Sequence, residues 1–202
     1  MNQAIRGPDG QLRCRWCLSA PQFLDYHDSE WGFPVDDDCR LFEKLSLEAF
    51  QSGLSWRTIL AKRDNFRRAF CDFDPVRIAR FDGTDVERLL GDRGIVRHRG
   101  KIEAVIHNAG RALALIEEKT SLAAYVWAFE PEADDLASPQ SASESPASRA
   151  LSKDLKKRGW RFVGPTTVYA FMQAMGLIND HAEACIGHAR AAEARARFIR
   201  PA

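Results

Sequence analysis

Net charge is the first thing this chain lacks: 29 Lys and Arg stand against 28 Asp and Glu, leaving +1 over 202 residues. That excludes a uniformly cationic surface able to hold any polyanion, and leaves only local patches to bind one. Long apolar runs are missing too, since none approaches the roughly 20 residues that a membrane helix needs. The N-terminal stretch MNQAIRGPDGQLRC has no apolar core of a secretion signal, so a cytoplasmic protein with no membrane partner is expected. Cysteine is sparse and odd in number, at five residues, which argues against a disulfide framework and leaves burial or metal ligation. Cys39 and Cys71 sit in helical patterns and are assigned to the core. No segment alternates convincingly with period two, so a sheet is not expected.

What is present is helical periodicity. PVDDDCRLFEKLSLEAFQSG opens on a proline and an acidic cluster, both favoured at a helix start, and closes at Gly53. SWRTILAKRDNFRRAF sets Ile59, Phe66 and Phe70 at helical intervals, and DPVRIARF and TDVERLLGD begin further short helices. In HRGKIEAVIHNAGRALALIEEK, Ile102, Val105, Ile106, Ala109 and Leu113 share one face. The expected fold is all-α, a single helical domain over 1–202. EPEADDLASPQSASESPASRA (130–150), rich in Ser, Pro and Ala, reads as an exposed loop between two helical blocks.

Four clusters could carry chemistry. SLEAFQSGLSW (46–56) holds Glu48 among Leu47, Phe50, Leu54 and Trp56. On a helical wheel Leu41, Phe42, Leu45, Ala49 and Ser52 form the apolar arc and Glu48 lies on its shoulder, so an exposed rim and a pocket carboxylate both remain open. CRWC and LDYHDSEWGFP pack Cys14, Trp16, Cys17, Tyr26, His27, Glu30 and Trp31 into 18 residues. Those aromatics suit either core or an aromatic-walled slot for a flat ligand. In NDHAEAC, His181 and Cys185 stand four apart and on a helix would point the same way, able to clamp one metal. Cys14 and His27 could complete the set, with Cys17 and His188 as rival ligands. LKKRGWRFVGPTTVYAFMQAMG (155–176) reads as a basic helix, a tight turn and an apolar helix starting at Thr166 or Thr167. That is the form of a helix-hairpin-helix, in which Gly164 admits a phosphate to the backbone N–H groups of the second helix. A plain hairpin between core helices is the alternative. Lys156 and Lys157, with RGIVRHRGKI (93–102), concentrate the positive charge.

Together and in this order, YHDSEWGFP, LEAFQSGLSW, GIVRHRGKI, LSKDLKKRGWRFVGPTTVYAFMQAMG and NDHAEAC resemble the constitutive bacterial 3-methyladenine DNA glycosylase I family, from Cys14 to about Cys185. The resemblance implies an all-helical fold of the helix-hairpin-helix glycosylase superfamily, with one structural zinc joining the chain's ends. By position its ligands correspond to Cys14, His27, His181 and Cys185. The family's base pocket maps onto Glu48, Tyr26, Trp56 and Trp16. Gly53 and Leu54 fall where the family wedges the gap left by a flipped nucleotide. Phe23 stands where a pocket tyrosine is common, Ala49-Phe50 replaces Gly-Gln, and the tail after Cys185 is longer and rich in Arg and Ala.

The implied partner is double-stranded DNA containing 3-methyladenine, met by a monomer. The implied reaction is hydrolysis of the N-glycosidic bond of the flipped lesion, with Glu48 recognising the cationic base and contributing to catalysis. Gly164-Pro165-Thr166-Thr167 lacks the Schiff-base lysine that bifunctional superfamily members carry after the hairpin glycine, so a monofunctional enzyme leaving an abasic site is expected.

Overall fold

The structure, a computed structural model, describes residues 4–202. Helices dominate, but the chain begins with a small antiparallel hairpin, β1 (Ala4–Arg6) and β2 (Leu12–Cys14), with Ala4 opposite Cys14. This corrects the expectation of no sheet. Three-residue strands are too short for a period-two pattern to register, and the pair is clamped by side chains: the Arg13 guanidinium bonds Asp9 at 2.6 Å and Asp28 at 2.9 Å.

After a 3₁₀ turn at Arg15–Ser19 come α1 (Pro21–Ser29), α2 (Asp38–Gln51), α3 (Trp56–Ala61), α4 (Arg63–Ala69), α5 (Pro75–Ile78) and α6 (Gly83–Gly91). Then follow α7 (Arg99–Lys119), α8 (Leu122–Trp127), α9 (Pro146–Lys157), α10 (Pro165–Ala174) and α11 (Ile186–Arg197). Helix α2 lies at the centre, against α7, α8 and α10, and every residue from Leu41 to Phe50 is buried. The wheel, which assumes one wet face, understates this helix because neighbours cover all its sides. Its start uses the aspartates in two ways. Asp37 caps α2 through the Arg40 N–H, while Asp38 accepts from Leu122 and Ala123 and so caps α8. At its other end the buried Lys101 ammonium donates to the carbonyls of Phe50 (2.9 Å) and Ser52 (2.6 Å), a cation on a helix C-terminus. One basic residue of 93–102 is thus committed to the fold.

Ile59, Phe66 and Phe70 are fully buried, but the single pattern they form is split into α3 and α4 at Lys62. On α7 the buried stripe includes Ile102, Val105 and Ala109, with Ala112 and Leu115 taking the place expected of a more exposed Leu113. Cys39 and Cys71 are half-buried instead of core. The connection after α8 ends earlier than 150. Ser145 and Ser148 form a reciprocal capping box that opens α9 at Pro146, so 146–150 are helical. Between α9 and α10 the chain turns tightly: the Asn108 amide bonds Arg161 on both sides at 2.9 Å, and the Ser152 hydroxyl donates to the Val163 carbonyl at 2.6 Å. Helix α10 begins at Pro165 with Gly164 as its cap, one or two residues ahead of the expected start at Thr166 or Thr167. No helix among the described residues is long and apolar enough to cross a membrane.

Candidate active site

A cavity of about 190 Å³ opens where α1, the C-terminal half of α2, the start of α3 and α10 meet; Trp16, Tyr26, Glu48 and Trp56 line it. The structure therefore brings these four expected residues together. Glu48 is only 6% exposed, which rules out the rim reading. Tyr26 and Trp56 lie 5.4 Å apart between ring centroids, and Trp16 stands edge-on to Trp31 at 5.0 Å. Burial pushes the Tyr26 phenol well above its ordinary pKa, reinforced by the nearby Glu48 charge. The aromatic rings give the cavity flat apolar faces, suited to a planar ligand.

Phe23 does not line this cavity. It packs behind Trp16, ring centroids 5.7 Å apart, in a small cluster with Cys17 and Ala20. One turn before Tyr26 on α1, it faces the 3₁₀ segment instead of the opening. Trp31, part of the aromatic cluster read from the sequence, also lines the cavity, as do Lys44, Gln51, Ala170 and Gln173, which the motifs do not mark. Lys44 is the consequential omission. One turn before Glu48 on α2, its ammonium lies 2.7 Å from the Glu48 carboxylate. It also donates to the Tyr26 hydroxyl at 2.8 Å and sits 3.5 Å from the Trp56 ring centroid. Burial pulls the Lys44 pKa below its ordinary value, while Glu48 opposes that fall. Lysine on a helix reads as surface, yet the i,i+4 spacing to Glu48 was a usable signal.

Gly53, at φ 78°, turns the chain out of α2 and leaves Leu54 43% exposed beside the opening's rim residues Gln51 and Trp56. Elsewhere on the surface, Lys156 and Lys157 are exposed at the end of α9. No atom stands within 4 Å of where a Gly164 Cβ would project, so that face of the turn is open. Thr166 donates to Glu144 at 2.9 Å, and Thr167 is half-buried.

Behind the pocket, Cys14, His27, His181 and Cys185 form a buried group whose ligand atoms all lie within 4.8 Å of one another and could hold a metal ion. His181 Nδ1 is 3.2 Å from His27 Nε2 and 3.7 Å from Cys185 Sγ; Cys185 Sγ is 3.4 Å from His27 Nε2. Each outer imidazole nitrogen is held: His27 Nδ1 by Asp28 at 2.7 Å and His181 Nε2 by the Trp31 carbonyl at 2.9 Å. Those bonds orient the free nitrogens toward the sulfurs. Backbone N–H groups of Ala182 and Gly187 point at Cys14 and Cys185 (3.3 and 3.2 Å). A Cβ at Gly187 would collide with the His181 ring. The thiol of Cys185, N-cap of α11, has its pKa drawn below the ordinary value, first by the Cys14 thiol and then by the histidines, against burial that would raise it. Cys17 and His188 stand outside the group. His181 itself precedes α11, so a turn and not one helix sets the 181–185 pair.

An aromatic slot holding one buried carboxylate, paired with Lys44 and mounted on an all-helical frame, has the shape to admit a flat ring. The methyladenine glycosylase family model matches residues 16–188, and the chain belongs to that family. It is 48% identical over 177 residues to DNA-3-methyladenine glycosylase 1 of Escherichia coli K12, covering 86% of this chain and 95% of that protein. It is 44% identical to the DNA-3-methyladenine glycosylase of Haemophilus influenzae, covering 86% and 96%. A crystal structure of a variant 3-methyladenine DNA glycosylase I in complex with 3-methyladenine superposes with a TM-score of 0.81 at 35% identity, covering 87% of this chain and 97% of that one.

Proposed function

We propose that this chain is a monofunctional DNA glycosylase that hydrolyses the N-glycosidic bond of 3-methyladenine in alkylated DNA and leaves an abasic site. The observation that carries the reading is the buried carboxylate, Glu48, inside an aromatic cavity, in a chain that shares nearly half its residues with glycosylases named for this base.

N3-methylation makes the adenine cationic and weakens its bond to the sugar. In duplex DNA that bond is hidden, so the nucleotide must rotate out at a cost of a few kcal/mol. Leu54, exposed beyond Gly53, fills the vacated space. Trp56, Trp16 and Tyr26 stack on the base, and a cation over an indole gains ~0.5–2 kcal/mol. Glu48 accepts hydrogen bonds from the adenine edge. As the bond breaks, positive charge leaves the base for the sugar, so Glu48 raises the rate only to the extent that its field favours the sugar cation over the bound lesion. The base departs as a stable neutral molecule, so no strong general acid is needed. Water then completes the hydrolysis at the anomeric carbon.

The turn at Gly164, read as a helix-hairpin-helix, offers the N–H groups at the start of α10 to a backbone phosphate, with Lys156 and Lys157 beside it. Cys14, His27, His181 and Cys185 are read as the ligands of a structural zinc. Tetrahedral zinc with sulfur at ~2.3 Å and nitrogen at ~2.0–2.1 Å requires nitrogen–nitrogen and nitrogen–sulfur edges of roughly 3.3–3.6 Å. The separations among His27, His181 and Cys185, 3.2, 3.4 and 3.7 Å, and the 3.8 Å from Cys14 Sγ to His181 Nδ1 lie within about 0.2 Å of that demand. All four protein donors are used, which suits a closed structural site. The protein is read as a cytoplasmic monomer.

Chromatography of bases released from methylated duplex DNA tests the reading. Free 3-methyladenine should appear, with no protein–DNA adduct trapped by borohydride. A protein that retains methylated DNA yet releases no base would be a binding module, and a trapped adduct would make it bifunctional.

A further inference from the structure

We propose that Lys44 is a specificity-determining residue of this pocket: a resident cation that competes with a positively charged base for Glu48 and for the Trp56 ring. The inference rests on reading the pocket as a receptor for a methylated, cationic purine.

Three groups would recognise such a base, and Lys44 already engages all of them. Its ammonium is 2.7 Å from the Glu48 carboxylate, 2.8 Å from the Tyr26 hydroxyl and 3.5 Å from the centre of the Trp56 ring. A carboxylate buried without a partner among aromatic rings would be costly, and Lys44 supplies its counter-charge. The pair carries no net charge. A cationic base arriving at similar distances from both groups is attracted by Glu48 and repelled by Lys44, and Coulomb's law makes the two effects comparable. Trp56 adds to this, because an ammonium over an indole draws on the same negative ring face that a cationic purine would use. Attraction of Glu48 for a positive base is therefore largely offset while Lys44 holds its place. The preference of the pocket for charged over neutral purines depends on residue 44 as much as on residue 48.

Nothing in its surroundings marks Lys44 as a surface lysine. Its side chain is 7% exposed and lies on α2 between two buried neighbours, Glu43 and Leu45. It separates the cavity from a second, smaller recess lined by Glu30, Arg40, Glu43, Arg63 and Arg67. In that recess Arg63 is held by Glu30 through two bonds of 2.6 and 2.8 Å, and Arg67 by Glu43 at 2.9 Å. Those cations have carboxylate partners of their own, which leaves Lys44 as the positive group bound to Glu48.

The test uses two probes of nearly the same shape at pH 8: free 3-methyladenine, which is neutral, and 3,9-dimethyladeninium, whose second methyl group replaces the sugar and which stays positive. Calorimetry gives the affinity of each for the wild type and for Lys44→Met, Lys44→Gln and Lys44→Arg. The two neutral substitutions should raise the ratio of cation to neutral affinity about tenfold, equivalent to ~1.4 kcal/mol. Lys44→Arg, which keeps the charge, should leave the ratio within twofold. A packing role would shift both ligands alike, so an unchanged ratio in Lys44→Met and Lys44→Gln overturns the proposal, as does an equal rise in Lys44→Arg. If Lys44→Met does not fold, Lys44→Gln, which retains a donor for Glu48, decides. A wild type that excises 3-methyladenine while the ratio stays fixed sinks the Lys44 assignment alone. A wild type that excises nothing and binds neither probe sinks the pocket reading.

Discussion

Glu48 and Lys44 stand one helical turn apart, so a substitution at either reaches both. Glu48→Gln keeps the shape of the side chain but leaves a buried ammonium facing a neutral amide. Hydrogen bonds to charged groups contribute ~1.5–3 kcal/mol, so excision of 3-methyladenine should fall about 10- to 100-fold. Urea denaturation should register a loss on the order of 1–3 kcal/mol, the cost of an unsatisfied buried charge after partial compensation. Binding to undamaged duplex, which does not fill the pocket, should stay within twofold. Equal losses in excision and in undamaged-duplex binding would make Glu48 a structural residue. The residues of this pocket differ in how far a sequence betrays them. Glu48, Trp56, Tyr26 and Trp16 stand within short motifs rich in aromatics. Lys44 was hidden by habit, since lysines on helices are usually wet, and only the burial of α2 on all sides turns it inward. Gln173 arrives from α10, far along the chain, and no local spacing can report a contact made by tertiary packing.

At the scale of elements, the anchoring of α9 offers a pH test. Asp154 accepts from the Tyr125 hydroxyl at 2.8 Å and from Arg158 at 2.6 Å, and Arg158 reaches on to Glu118 at 2.6 Å, tying α9 to α8 and α7. Burial would raise the Asp154 pKa, but the bonds from Arg158 and Tyr125 outweigh it and hold it below the ordinary 3.8. A depressed carboxylate contributes stability that is complete above its unfolded pKa and disappears as pH falls through the folded one. Because the pair is partly exposed, the contribution is about 0.5–1 kcal/mol, or ~1–4 °C in Tm for a chain of this size. Asp154→Asn should therefore melt a few degrees below wild type at pH 7, with the gap closing below about pH 4. A gap that persists at pH 2 would assign the loss to packing. Helices were legible here because burial follows period 3.6 wherever one face stays wet, as on α7. The exceptions have local causes. The Ser145–Ser148 box opens α9 inside a stretch whose Ser, Pro and Ala content resembles a loop, since those residues serve caps and coils alike. The β1–β2 pairing is held by Arg13 and its two aspartates, contacts that no periodicity reports.

Across the whole molecule, the Cys14, His27, His181 and Cys185 group joins the two ends of the chain. Cys14 terminates β2, His27 lies near the end of α1, and Cys185 caps α11 after His181 has met the N-terminal pair. Spacing alone left Cys17 and His188 as rivals; resemblance chose the four that the fold gathers, because only tertiary closure brings residues 167 positions apart to 3.8 Å. Since an unfolded chain has no preformed site, metal affinity becomes folding free energy. If the group holds zinc as proposed, the wild type should carry one ion per chain and Cys185→Ser should not, and the variant's Tm should fall to that of the chelator-treated wild type, with chelator then having no further effect on the variant. Proteolysis should become faster at the N-terminal hairpin first, because an ion held by these four residues would tie that segment to α11. Excision activity should fall with the folded fraction and not below it, since none of the four donors lines the cavity. If the variant instead kept a full equivalent of zinc, Cys17 or His188 would be supplying the fourth ligand. If it lost the metal without any fall in Tm, the ion would not be what holds the ends together.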